Sequence, residues 1–221
     1  MSLTRGNITT AAARFTENLL LEHTVALGAD GVLIVLLGFS DAVSPPGSFV
    51  PASGIYTAEV TYSGFALTYT GSVQVRGARE DPYLAAYILT SPITGSNPIV
   101  VDIGTEINDL FVAAIDYQGV DQTDPILAFA VSSTADPNFN LGGVGLQPTA
   151  TGRAITACLC PETNGIHVGG SGQLDLFNEQ EGNSRFSGFE KEIPGGGYFP
   201  MTITNLADYT SVSLSVALRP A

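Results

Sequence analysis

The segment DYQGVDQTDPI, Asp116 to Ile126, sets three aspartates, a glycine and a proline within eleven residues. That density of oxygen ligands suits either a cation loop or a turn. A calcium loop of the EF-hand kind needs acids at alternating positions and a glutamate at the twelfth. Here Asp116, Asp121 and Asp124 are spaced five and three apart, and no glutamate follows. Aspartate side chains cap nearby backbone amides, and proline fixes φ at the start of a strand. The stretch is expected to be a turn between two strands.

The acidic pairs Glu80–Asp81, Glu179–Glu181 and Glu190–Glu192 raise a second chemistry. Glycosidases hold two carboxylates about 5 to 10 Å apart across a sugar bond, and positions i and i+2 of a strand could supply that. These pairs lie in polar, loop-like surroundings, where a carboxylate lacks the burial that raises a catalytic pKa. The chain also has no tryptophan to stack on a sugar ring. They are expected to be solvated surface acids.

Of the two histidines, His23 shares a strand face with Leu21 and Val25 and is expected to be a hydrogen-bonded core or rim residue. His167, in NGIHVGG, has no G-x-S-x-G nucleophile elbow to serve, because that motif occurs nowhere in the chain. The glycine runs LGGVG, VGGSGQ and PGGGY lack the strand-to-helix context and the lysine of a phosphate loop, and read as turns. Cys158 and Cys160, the only cysteines, lie on one face of a strand at i and i+2, a poor geometry for a bridge. They are expected to be reduced, small apolar residues. No catalytic residue, metal ligand or cofactor site is assigned.

The bulk composition fits many short strands. Val, Ile, Thr, Tyr and Phe are abundant, and 25 glycines and 13 prolines supply turn chemistry. A net charge of −13 with a single lysine, Lys191, disfavours nucleic acid and anionic membrane surfaces, which draw on lysine and arginine. The first residues, MSLTRGNITT, have no apolar h-region, and the longest apolar run, Val32 to Leu37, is far short of a membrane span. A soluble protein is expected.

Along the chain, residues 1–19 read as an N-terminal arm, either extended or a short helix with Ala12, Phe15 and Leu19 on one face. Residues 20–221 read as a single β-sandwich domain. Val32 to Phe39 is apolar on both faces and should be a central strand. SDAVSPPGSFVPASG should be a surface loop, Ser63-Gly64 a tight hairpin turn, and REDPY a chain break. IVVDI, LFVAAIDY, ILAFAV, RAITACLC, GQLDLF, YFPMTI and TSVSLSVALRP read as further strands. NEQEGNSRFSGFEKEIPGGG reads as an exposed loop. In the last strand Val212, Leu214, Val216 and Leu218 should point inward while Ser211, Ser213 and Ser215 face out. Ten to twelve strands at this spacing make an all-β sandwich.

Six segments, HTVALGADGVLIVLLGF, VTYSGFALTYT, AYILTSPITGSNPIVVDI, YQGVDQTDPI, SGQLDLFNE and SVSLSVALRP, occur in an order that resembles a β-sandwich domain of phage structural proteins, found also in bacterial surface or secreted proteins. The resemblance runs from about residue 20 to residue 221. It implies a jelly-roll-like antiparallel sandwich used as a building module of a virion, with no catalytic residues to carry over. The chain lacks the long repeats of a tail fibre and any enzymatic partner domain, which favours a capsid decoration or cement protein. The partners so implied are the major capsid protein or other virion proteins, together with copies of itself, a trimer suiting a threefold lattice site. The expected location is the virion, assembled in the host cytoplasm. Arg5, Arg14 and Phe15 in the arm are the candidate partner-binding residues. The alternative is a carbohydrate-binding module of a tail or baseplate, with Tyr56, Tyr62, Tyr69, Tyr83 and Tyr198 as sugar platforms. A glycoside hydrolase or lyase acting through Glu179 or Glu190 is the remote third reading.

Overall fold

The computed structural model describes residues 3–26, 30–42, 58–75, 80–134, 141–161, 167–205 and 211–221. Of the surface loop expected at 40–54, residues 40–42 are strand, and 43–54 lie outside these residues, as does Tyr56. Among these described residues fifteen strands run in chain order: β1 (Thr4–Val25), β2 (Val32–Ala42), β3 (Glu59–Tyr62), β4 (Phe65–Ala66), β5 (Thr68–Gln74), β6 (Glu80–Thr90), β7 (Gly95–Gln118), β8 (Ile126–Thr134), β9 (Leu141–Leu146), β10 (Gly152–Cys160), β11 (His167–Gly169), β12 (Leu174–Glu181), β13 (Ser184–Ile193), β14 (Phe199–Asn205) and β15 (Ser211–Leu218). The described residues contain no helix. The fold is the all-β antiparallel sandwich expected.

Two very long strands organise it. β1 and β7, of 22 and 24 residues, pair antiparallel along nearly their whole length. The ribbon they form is folded over on itself. At the fold, Phe15 takes a left-handed φ of 51°, Gly104 takes 71°, and the register slips between Thr16 and Asn18. The two halves of β1 thereby come face to face: the His23 ring lies 2.9 Å from the Thr9 hydroxyl, and Asn7 Nδ2 donates to the Thr24 carbonyl at 2.6 Å.

Folding the ribbon splits one seven-stranded sheet into two layers. The first joins the C-terminal half of β1, the N-terminal half of β7, β3 and β4. The second joins the other halves of β1 and β7 to β2, β6 and β5. A five-stranded sheet, β12-β13-β10-β15-β8, packs on the second layer, and β11-β14-β9 covers that sheet in turn. Side chains alternate across a strand, and the cores follow. Leu33, Val35, Leu37 and Phe39 of β2 point into the core between layers one and two. Val32, Ile34 and Leu36 point into the core between layers two and three, against Ile155, Leu159, Leu214 and Val216. Leu146, Ala154, Met201 and Ala217 fill the gap between layers three and four, with Cys158, Phe189 and Ile203 beside them.

The central strand is where the sequence places it, since β2 lies between β6 and β7 and is buried on both faces. Ser63 and Gly64, both with positive φ, close the β3–β4 hairpin as expected. Several expectations are corrected. Residues 4–19 are no free arm or helix but the first part of β1, so strand pairing runs unbroken across the expected boundary at residue 19. REDPY does not break the chain, because β6 begins at Glu80 and carries Pro82. IVVDI and LFVAAIDY are one strand, β7, bent at Gly104. LGGVG is strand β9.

The stretch expected as an exposed loop, 178–197, holds the second half of β12 and all of β13. Strand β13 escaped notice because it alternates polar side chains that find partners with Phe186, Phe189 and Ile193, which enter three different cores. The serine face of β15 is buried as well: Ser215 bonds to Thr156, and the fourth layer covers that side.

Layers two and three meet through aromatic rings. Phe186 lies 5.7 Å from Phe111 and 4.8 Å from Phe177, centroid to centroid. The Phe177 ring occupies the space above Gly188 so closely that a Cβ there would overlap it. Gly188→Ala should therefore lower stability by about 1–3 kcal/mol through overpacking, read as a fall in the urea midpoint without a change in slope.

Candidate functional site

The acids that drew notice divide by depth. Asp121 is a turn residue: its carboxylate accepts from the amides of Thr123 (2.8 Å) and Asp124 (3.0 Å). Those two bonds hold its pKa below the usual value. Asp124 pairs with Arg219 at 2.7 Å. Asp116 is different, being buried at the seam of the folded ribbon. It accepts from the Asn7 amide at 2.6 Å and the Ala26 amide at 3.4 Å, and lies 3.4 Å from His23 Nε2. A register shift between Arg5 and Ile8 makes room, and a Cβ at Gly6 would overlap the carboxylate. The segment is thus a turn, as expected, with one structural carboxylate at its head. His23 is the buried, hydrogen-bonded residue its neighbours suggested. Among the described residues no three of His, Cys, Asp and Glu are grouped to hold a metal ion.

Two polar clusters pin the ends of the interface between layers two and three. At one end Glu190 of β13, only 2% exposed, faces the second layer. Its Oε1 meets the guanidinium groups of Arg5 and of Arg153 (3.4 Å), and its Oε2 accepts from the Tyr117 hydroxyl at 2.8 Å. Burial, then the Glu190 charge, push the Tyr117 hydroxyl pKa well above its ordinary value. Arg153 also reaches the exposed Glu192 at 2.9 Å.

At the other end Asp109 of β7 accepts from Arg14 Nε at 3.0 Å and from Ser184 Oγ at 2.6 Å, with Ser40 beside them. Glu179 accepts from Thr10 at 2.7 Å. The expectation that Glu190 is a solvated acid is overturned: opposite strands bring arginines to it that lie far away in the chain.

The arginines of the two clusters include two of the three candidate partner-binding residues. Arg5 and Arg14 pair with acids of this same chain. Phe15, the third, stands 59% exposed at the ribbon's fold, with the Arg14 guanidinium 4.9 Å from its ring centre. Of the tyrosines considered as sugar platforms, Tyr62 and Tyr83 are core residues, whereas Tyr69 and Tyr198 are exposed.

Open grooves of about 390 and 320 Å³ flank Arg153. The first is lined by Leu3, Gly152, Ile193, Pro194 and Pro220, the second by Gly172, Leu174, Glu190 and Lys191. Glu190 and Glu192 share a face, yet Arg153 bridges them in the position a glycosidase keeps for its sugar. Both oxygens of Glu190 are already taken by donors.

Among the described residues there is one serine–histidine pair. His167 Nδ1 lies 2.9 Å from Ser187 Oγ, and Ser187 donates to Asn178 Oδ1 at 3.1 Å. With the hydroxyl proton directed at Asn178, the histidine must donate from Nδ1, so it cannot act as the serine's base. Ser187 is fully buried, and His167 Nε2 is buried with no partner among the described residues. Cys158 and Cys160 are free and buried. Burial raises the Cys158 thiol pKa to about 11, which suppresses its thiolate.

No family model, no curated protein and no solved structure matches this chain.

Two measurements probe these clusters. Arg5→Ala leaves Glu190 buried with one guanidinium instead of two and should cost about 2–3 kcal/mol. In the Glu190→Gln background the same change should cost less than half as much. A double-mutant cycle by urea unfolding reads that difference, and additive effects would deny the coupling.

His167 gives a pH signature. Burial and then Arg185 lower its pKa to about 4, against 6.5 for the free side chain. Between those values the unfolded chain binds a proton that the folded one refuses, so stability should fall as pH drops from 6.5 to about 4. The loss should reach about 3 kcal/mol. The difference in unfolding free energy between the wild type and His167→Gln, which cancels other titrations, should vary across this window and be flat above pH 7.5.

Proposed function

We propose that this chain is a non-catalytic structural protein that works by contact with other proteins, of the kind that decorates or cements a phage head. The observation that carries the reading is the use made of its ionisable groups. At one end Arg5 reaches Glu190 across the two layers, with Arg153 beside it, and at the other Asp109, paired with Arg14 of its own layer, accepts from Ser184 of the next. Charges arranged to converge inside a protein, each already answered by an opposite charge, brace a shell. A catalytic group needs an open coordination position facing its substrate. The resemblance of six ordered segments to phage virion domains supplies the context, and a stiff sandwich with buried faces throughout its middle suits a part that must bear load.

In this reading the major capsid protein is the partner, and self-association into a trimer would match a threefold position of the lattice. The alternative, a glycan-binding module of a tail or baseplate, retains Tyr69 and Tyr198 as exposed rings.

Antibody raised against the purified chain should decorate the heads of phage particles from the source culture. Particles lacking the protein should rupture at lower temperature. Label confined to tails, with saturable binding of the purified chain to host polysaccharide, would transfer the reading to the glycan module. Antigen absent from every particle would overturn both.

A further inference from the structure

We propose that the outer face of the first layer is a docking surface whose occupant is a partner protein presenting apolar side chains flanked by lysine or arginine. The inference rests on the reading of the chain as a contact module and goes on to name the face and the partner's chemistry. Its inner side is fully packed: Leu19, Leu21, Val60, Ile99 and Val101 are all buried. Alternation therefore delivers the intervening residues to the outer side.

Strand register aligns those residues in one row. Leu20 is the cross-strand neighbour of Val100, Val100 of Thr61, and Thr61 of Ala66. Four strands at sheet spacing make this row about 14 Å long. Leu20 is 65% exposed and Val100 40%, where the pattern of a half-solvated sheet would set polar side chains. The row also reaches the border of the sheet, because among the described residues β1 pairs only with β7.

Charge chooses the occupant. Glu22 stands on one side of the row, and the cross-strand neighbours Asp102 and Glu59 stand on the other; all three are exposed. The strand segments that build this face, 18–25, 95–107, 59–62 and 65–66, contain no lysine or arginine. A second copy laid on this face would oppose acid to acid across a drying interface. A partner with basic residues on either side of an apolar ridge would instead answer each carboxylate while covering Leu20 and Val100. Such complementarity steers encounter and selects the partner, and apolar burial supplies the affinity.

The probe is a capped peptide of alternating lysine and valine, set against a peptide of equal charge with serine for valine. Each is titrated onto the full chain by fluorescence anisotropy. The valine peptide should bind about tenfold tighter than the serine peptide. Leu20→Asp with Val100→Asp should weaken valine-peptide binding by about tenfold or more although the chain becomes more acidic. Glu22→Gln, Glu59→Gln and Asp102→Asn together should weaken it too and flatten its salt dependence.

Simple charge attraction predicts the opposite sign for the aspartate pair, so unchanged or tighter binding overturns the proposal. Self-association of the chain that vanishes with the aspartate pair would also overturn it, by assigning the face to a second copy. Both sites are exposed, and cooperative unfolding with an unchanged slope certifies each variant as folded. The peptide result bears on the face alone and particle labelling on the structural reading alone, so either can fail while the other stands.

Discussion

The second layer must be apolar on both of its faces, and the rest of the fold answers that constraint. From Leu110 to Tyr117 every residue of β7 except Asp116 is apolar, and every one is buried. Its neighbour β2 is buried throughout Val32 to Ser40. A sheet of this kind cannot leave either side to water without exposing a row of large side chains. The five-stranded sheet covers one side. The other is covered by the same strands that build it, because β1 and β7 are long enough to turn back over the layer they have just formed. The fold at Phe15 and Gly104 is therefore a requirement of the core, and the left-handed backbone at Phe15 is tolerated because packing on both arms of the ribbon holds it.

A doubly buried layer leaves no room for charge except at its margins, and there the charges are placed. Glu190 and Asp109 lie at opposite ends of the same interface, each on the face that meets the neighbouring sheet, and each takes a guanidinium from β1. Replacing such pairs by apolar side chains often does no harm to stability. Their plainer contribution is to registry: Arg14 is the cross-strand neighbour of Asp109 and fixes β1 against β7 within the second layer, while Arg5 to Glu190 and Ser184 to Asp109 fix that layer against the third. Apolar faces slide, and paired charges at two ends do not.

How much of this was legible in the residues depends on whether a signal was local. The run from Val32 to Phe39 announces a strand buried on both faces, and Ser63-Gly64 announces its turn, because each needs only its own neighbours. The same holds for Asp121, whose partners are two and three residues away. Glu190 is not legible in this way because its partners lie 185 and 37 residues distant, and NSRFSGFEKE read locally is a polar, glycine-bearing stretch. A clue was nonetheless present. Asp109 and Asp116 interrupt one of the most apolar segments of the chain, and a carboxylate inside such a segment must be paired or pay heavily for its burial. The arginines at residues 5 and 14, in a stretch otherwise short of charge, were the available partners. The folding-over of β1 is hidden for the same reason: an extended strand and an extended arm have the same local signature, and only pairing with a distant strand, as of Leu19 with Val101 and Thr4 with Gln118, distinguishes them.

The distribution of charge across the layers bears on function more directly than any single cluster. Six of the eight basic residues lie in described positions, and five of them pair with acids of the chain or bond its polar groups in layers two and three, while Arg219 pairs with the turn aspartate Asp124. What remains unneutralised on the first layer is acid, set around an apolar row. A net charge of −13 spread evenly would serve solubility alone. On the face proposed for docking, Glu22, Glu59 and Asp102 stand exposed on strand segments that carry no lysine or arginine, so a basic surface would answer them. Internal bracing and the proposed selectivity would then be two results of one allocation: Arg5 and Arg14 are spent on buried acids of layers two and three, and the outer face of the first layer is left with exposed acids.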